Sequence, residues 1–301
     1  MVDFIGIGAQ KCGTSWIYAC LYEHPEICAP IKEIHFFSRP RFEKGKEWYE
    51  SHFSKCVHGT NVGELSMSRG TLDIDKVGEF STSYLYSKET PARIKAMYPN
   101  VMLIAVVRNP LERAYSQYRN AIKAGEIGKD ESFDAYVEGE PSALEQGRYA
   151  EQLARYYELF PKTQILTLVY EDSRKDPSAF IKTIYEFLGV DATFVPSMLL
   201  REVNIARTPK FVFIDRTMHH IAESLRRVGF DKLVFAFKKS GLPDMIRGAN
   251  TDTGSAREEK PNLKKFASYF HEDTEKLSEY LERDMVKEWG LAPTPFDSSS
   301  Q

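Results

Sequence analysis

Lys11, Gly13, Thr14 and Ser15 stand together directly after a short apolar run, Phe4-Ile5-Gly6-Ile7-Gly8. A cation, a glycine and two hydroxyls in that place suit the grip of an anion. An apolar helical pattern follows, carried by Trp16, Ile17, Cys20 and Leu21. The stretch reads as strand, phosphate loop, helix. Backbone N–H groups at a helix N-terminus point at an anion, and the helix dipole favours negative charge there. Lys11 adds a full positive charge, and Thr14 and Ser15 add hydroxyl donors. The order differs from a Walker A loop, G-x-x-x-x-G-K-[ST], in which lysine follows the last glycine and the hydroxyl holds Mg²⁺. Here lysine precedes the glycine, so ordinary ATP or GTP chemistry is not the first reading.

A second anion-binding element has the same logic. Val101–Val107 is a continuous β-branched and aliphatic run, typical of a strand buried on both faces of a parallel sheet. It ends in Arg108-Asn109-Pro110, where Asn109 suits an N-cap and Pro110 the first helical position. Arg108 thus falls at the carboxyl end of a strand, where open α/β sheets bind ligands. Ser116 lies about two turns into the helix that follows. A long guanidinium and a short hydroxyl there suit one phosphate.

With these residues in order, the chain resembles the sulfotransferases that use 3′-phosphoadenosine 5′-phosphosulfate (PAPS). The resemblance implies that the loop Lys11-Cys12-Gly13-Thr14-Ser15-Trp16 holds the 5′-phosphosulfate, and that Arg108 and Ser116 hold the 3′-phosphate. It implies an adenine contact for Tyr170, in Tyr170-Glu171-Asp172. Lys32-Glu33-Ile34-His35-Phe36-Phe37 resembles the K-E-x-H-F-F segment of the heparan sulfate sulfotransferase branch, whose glutamate is the catalytic base. Gly78–Leu85 resembles that branch's G-E-K-S-P-x-Y segment, and Gly254-Ser255-Ala256-Arg257 its late K-G-R loop, which makes Arg257 a further cofactor contact. This chain departs from the pattern at Phe80, where the branch has lysine, and at Ser255-Ala256.

The expected activity is transfer of a sulfuryl group from PAPS to a hydroxyl or amine, leaving 3′-phosphoadenosine 5′-phosphate (PAP), with no metal. Lys11 would counter charge on the leaving phosphate oxygen, and Glu33 would take the acceptor's proton. His35 is the competing base, because its unperturbed pKa lies near the working pH. Lys32–Phe37 is expected to be a short strand or extended segment, on which Glu33 and His35 would share a face. Competing classes are a small-molecule kinase using ATP–Mg²⁺ and a non-catalytic PAP-binding protein.

Composition bounds the rest. The 301 residues, 42% hydrophobic and 13% aromatic, suffice for a substantial core. A formal charge of −3 lacks the basic excess of a nucleic-acid protein. No secretory leader and no apolar run of about 20 residues is read in the chain, so a cytoplasmic location is expected. Cys12, Cys20, Cys28 and Cys56 lack C-x-x-C and zinc spacing and are expected to be free thiols in a reducing compartment. Cys12, beside Lys11 at a helix start, is a candidate for a lowered pKa.

Strand and helix patterns alternate along the chain, which predicts an α/β, three-layer, P-loop-like fold with a short parallel sheet flanked by helices. A single domain over residues 1–301 is expected. Residues 201–254, with a mainly helical Phe211–Phe237, are expected to shape the pocket of a small-molecule, natural-product or saccharide acceptor.

Overall fold

The computed structural model describes residues 2–38, 40–56, 74–199 and 261–292. Strands β1 (Phe4–Gly8), β2 (Ile27–Cys28), β3 (Lys76–Phe80), β4 (Met102–Val107) and β5 (Ile165–Val169) form one parallel sheet. Their order is β2-β3-β1-β4-β5. Every residue of β1, and β4 from Leu103 on, is buried. Both strands therefore read as unbroken apolar runs rather than as alternation.

Helices connect and flank the strands: α1 (Thr14–Glu23), α2 (Gly45–Ser51), α3 (Thr90–Met97), α4 (Pro110–Ala124), α5 (Phe133–Gly139), α6 (Ser142–Glu145) and α7 (Tyr149–Tyr157). After β5 come α8 (Tyr170–Lys175), α9 (Pro177–Leu188), α10 (Ala267–Leu281) and α11 (Met285–Trp289). The order has a simple consequence. From central β1 the chain moves to β2 and β3 on one side, then to β4 and β5 on the other. Because all these strands are parallel, the segments after β1, β3, β4 and β5 leave from one edge of the sheet. That carboxyl edge at a topological switch point is where such sheets bind ligands.

Contacts group the chain into two compact units. The first holds the sheet and, among the described residues, 2–114, 144–199 and 264–292. The second holds 115–143 and 261–263 of the described residues, and in it Tyr118 packs on Phe133 (5.6 Å between ring centroids) and Tyr136 (5.5 Å). Its helix α5 is capped by Ser132, whose side chain accepts from the Ala135 amide.

Several expectations need correction. Lys32–Phe37 is not a strand: only Lys32 bridges to Phe80, and Glu33 (φ 63°) and His35 (φ 54°) are left-handed. Phe36 and Phe37 are both fully buried and both pack on Tyr49, at 4.7 and 5.1 Å. Neighbours in an extended strand point to opposite faces, so the backbone turns instead. The cysteines are not all thiols, for Cys28 and Cys56 form a disulfide (Cα–Cα 5.7 Å), while Cys12 and Cys20 are free and buried. Tertiary proximity of β2 to the segment after α2 sets this pairing, and no local spacing announces it. With that bond formed, cysteine usage no longer points to a reducing compartment. Arg257, the acceptor-pocket segment 201–254 and the helix over Phe211–Phe237 lie outside the described residues.

Candidate active site

The phosphate loop is built from the end of β1 and the start of α1. Gly13 caps α1 in the left-handed region (φ 78°) and supplies no side-chain cap, and the first turn carries no acid. The first N–H groups of the helix are therefore left for an anion. Glycine is required at this position for a second reason: a Cβ would lie 2.6 Å from the Tyr170 ring. Thr14 is buried, and Ser15 and Trp16 are half-buried.

Three cations gather around this loop. Arg108, just beyond β4, donates from Nη1 to the Lys11 carbonyl at 3.2 Å and stacks over Tyr170 at 4.9 Å. Tyr170 is thus held between Gly13 and Arg108. Arg113 on α4 is fully buried and close enough for its charge to act on Lys11. Burial, then Arg108 and Arg113, lowers the Lys11 pKa. Like charges brought together at partly desolvated positions are costly alone and suit a polyanionic ligand.

Arg113 carries no motif that assigns it a role. Its signal was position, because a cation in the first turn of a helix opposes the dipole. Asn109 caps α4 as expected: its Oδ1 accepts from the Leu111 and Glu112 amides at 3.0 and 3.3 Å. The Asn109 amide itself donates to Glu171 Oε1 at 3.0 Å.

Cys12 corrects another expectation. Its thiol is fully buried beside Tyr149 Oη (3.8 Å), and burial pushes its pKa up to about 11 despite Arg113. Desolvation outweighs the helix terminus, so the thiol is inert and the residue serves the loop through its backbone.

The second half of the site is the turn Lys32–His35. Glu33 Oε2 accepts from the Thr82 amide at 3.0 Å and lies 3.1 Å from His35 Nε2, while Glu33 Oε1 meets Lys32 Nζ at 2.6 Å. Thr82 Oγ1 donates to the same carboxylate at 3.1 Å. His35 Nδ1 pairs with Ser83 Oγ at 2.7 Å. Glu33 and His35 therefore meet, as expected, but through a turn rather than a strand face. Lys32 bridges to Phe80 at the end of β3, and β3 pairs with β1, which leads into the phosphate loop.

Phe80 occupies the position of the branch's lysine and is core. It is fully buried, and its ring covers Gly6 so closely that a Cβ there would lie 2.2 Å from it. Trp16 is committed to packing, with Nε1 donating to the Met198 carbonyl at 3.1 Å and its ring 6.0 Å from Phe180. Ser116 sits on α4 within the second unit, half-buried. The structure thus brings Lys11, Gly13, Arg108 and Tyr170 together, and Glu33 with His35. Among the described residues there is no cluster of His, Cys, Asp and Glu arranged for a metal, and no helix long and apolar enough to cross a membrane.

A parallel sheet with a lysine-bearing loop at an uncapped helix start after β1 and an arginine after β4 defines an α/β protein with an anion-binding edge. The family model described as the sulfotransferase domain matches residues 2–208, and the chain belongs to that family. It is 31% identical over 191 residues to mouse heparan sulfate glucosamine 3-O-sulfotransferase 3A1, covering 61% of this chain and 44% of the relative. It is 28% identical over 206 residues to human bifunctional heparan sulfate N-deacetylase/N-sulfotransferase 3, covering 62% of this chain and 22% of that protein. The chain thus spans less than half the length of these relatives. A sulfotransferase from Alicyclobacillus acidocaldarius has the same fold, with a TM-score of 0.65 at 23% identity, over 96% of this chain and 99% of that one.

Proposed function

We propose that the chain transfers a sulfuryl group from PAPS to a hydroxyl or amine of a saccharide or small-molecule acceptor. One observation carries this reading: a glutamate fixed by Thr82, Lys32 and His35 stands in a turn that joins the end of β3 through the Lys32–Phe80 bridge, and β3 pairs with β1, the strand that leads into the cationic loop. A base beside an anion grip is what group transfer to a protic acceptor needs. PAPS, when bound, supplies the sulfuryl group and the leaving phosphate. The fit is supported by the open N-terminus of α1 and by the convergence of Lys11, Arg108 and Arg113.

In this reading Glu33 takes the acceptor proton as its oxygen or nitrogen bonds to sulfur. The sulfur–oxygen bond to the phosphate breaks, and the electron pair stays on the phosphate oxygen. Lys11 counters the charge that builds there. His35 holds Glu33 through Nε2 and is itself held by Ser83 through Nδ1. Arg108 holds the 3′-phosphate, and Tyr170 meets the adenine. Relatives named for heparan sulfate favour a saccharide acceptor, while Phe80 removes one cation that a polyanionic chain would use. The deciding experiment supplies ³⁵S-labelled PAPS with N-sulfated heparan oligosaccharides and with 4-nitrophenol, in the presence of EDTA. Label in an acceptor supports the reading, and label in neither, with ATP–Mg²⁺ turnover instead, removes it.

A further inference from the structure

Glu79 on β3 is fully buried, yet both of its oxygens lead to the backbone of the Glu33–Phe36 turn. Ser81 Oγ donates to Glu79 Oε2 at 2.6 Å and accepts from the His35 amide at 3.0 Å. Tyr84 Oη donates to Glu79 Oε1 at 2.6 Å and accepts from the Phe36 amide at 2.9 Å. Tyr49 Oη donates to Oε1 as well, at 3.2 Å. We propose that Glu79 is the positioning residue of the site, holding the His35 and Phe36 amides through two hydroxyl relays and so keeping Glu33 against His35. The proposal rests on the reading of Glu33 as the base.

With Glu79 ionised, the direction of each relay is forced. A hydroxyl has one proton, and each gives it to the carboxylate, which leaves a lone pair for the amide. Bonds to an ionised acceptor are the strong ones, and they polarise the chain behind them. The turn needs such a tie because two of its non-glycine residues are left-handed, a conformation that persists only when the surroundings over-determine it. The groups that face Glu79 are Tyr18 of α1, Tyr49 of α2, Ser81 and Tyr84 beyond β3, and Glu33 of the turn. Burial, opposed by the Ser81, Tyr84 and Tyr49 bonds and helped by Glu33, raises its pKa to about 7. A proton on Glu79 turns one acceptor oxygen into a donor, so the hydroxyl facing it accepts from both the carboxyl and the amide, and that relay loses its charge-assisted bond and its fixed direction; Glu79→Gln has the same local effect.

The test combines kinetics with NMR on ¹³C-histidine-labelled protein. Glu79→Gln is expected to lower kcat roughly 10- to 100-fold, with PAPS as donor and an N-sulfated heparan oligosaccharide as acceptor, as for a loosened catalytic geometry. KM for PAPS and PAP affinity should stay unchanged, and the His35 imidazole should titrate at lower pH once Glu33 no longer faces it. A folded Glu79→Gln protein with wild-type kcat and wild-type His35 titration overturns the proposal. If that variant does not fold, Ser81→Ala removes the His35 relay alone, and an unaltered kcat and titration there overturn it equally. Glu33→Gln, measured in parallel, separates the two ideas: full turnover in that variant removes the base assignment, while the His35 titration in Glu79→Gln still reports the positioning role.

Discussion

Glu33 Oε2 lies 3.1 Å from His35 Nε2, and both residues are left-handed, at φ 63° and 54°. The strain of the turn aims both side chains at one point. The carboxylate is fixed by the Thr82 amide and hydroxyl, so it is a positioned group rather than a solvated charge. Glu33→Gln is expected to reduce turnover by about 10²–10⁴-fold, the usual worth of a general base. PAP affinity, measured by calorimetry, should hold. His35→Ala should cost less, since it removes only a partner of the base. The reverse ranking would make the histidine the base.

Arg108 and Lys11 meet through one hydrogen bond, from the guanidinium to the Lys11 carbonyl. Arg108→Ala should therefore loosen the loop as well as remove a charge. A charge-assisted hydrogen bond contributes about 1.5–3 kcal/mol, so PAP should bind roughly 10- to 150-fold more weakly. ADP, which lacks the 3′-phosphate, should lose much less. Equal losses for the two nucleotides would move Arg108 away from the 3′-phosphate. Lys11→Ala should weaken both nucleotide binding and kcat, because the lysine acts in ground and transition states alike.

Gly13→Ala probes the loop itself. The new Cβ would meet the Tyr170 ring at 2.6 Å, at a φ of 78° that L-residues rarely adopt. The backbone and the ring must both give way, taking the Arg108–Tyr170 stack with them. PAP affinity should collapse while the circular dichroism of the sheet and helices stays close to wild type. Retained affinity would show that the Gly13–Tyr170 contact does not shape the nucleotide site.

Much of this arrangement was legible because it is local. A double-sided apolar run gives a buried parallel strand, and β4 is one. Asn-Pro gives a cap and a first turn, and Asn109 caps α4. The phosphate loop follows from lysine, glycine and hydroxyls between a strand and a helix. Long-range features were not legible. Nothing near Cys28 names Cys56, 28 residues away, and nothing near Cys12 shows the burial that silences its thiol. The Glu33–His35 meeting was read for the wrong backbone, because consecutive phenylalanines drawn into one aromatic cluster overrode the extended form. Glu79 looks in sequence like any strand glutamate. The hydroxyls of Ser81 and Tyr84 just beyond β3, with that of Tyr49 brought from α2, explain its burial.

The disulfide should be a main support of the α2 segment. It closes a sequence separation of 28 residues, which in the chain-entropy model corresponds to about 3–4 kcal/mol. Reduction, or Cys28→Ser with Cys56→Ser, should lower the Tm measurably. The phosphate loop, held by β1, β4 and α1, should keep its PAP affinity at temperatures below the transition. An unchanged Tm after verified reduction would mean that the α2 segment is held by its aromatic contacts alone.

The pH dependence of stability isolates Glu79. Its carboxyl titrates near 4.5 when exposed and at about 7 in the fold, where burial is the largest cause. Between those values the native state keeps a proton that the unfolded chain has released. Stability falls with pH wherever the native state binds more protons, so this group destabilises the fold progressively from about pH 4.5 to 7 and adds no further slope above that. In Glu79→Gln the site is neutral at every pH and this contribution is absent. Apart from His35, whose shift is read separately by the histidine NMR titration, other groups titrate alike in the two proteins, so their difference in unfolding free energy, corrected for His35, reports Glu79. Urea melts at pH 5, 6, 7 and 8 should show the variant gaining on wild type between pH 5 and 7 and then running parallel to it. Parallel curves across the whole range would mean that Glu79 is ionised throughout, held by its three hydroxyl donors against the cost of burial.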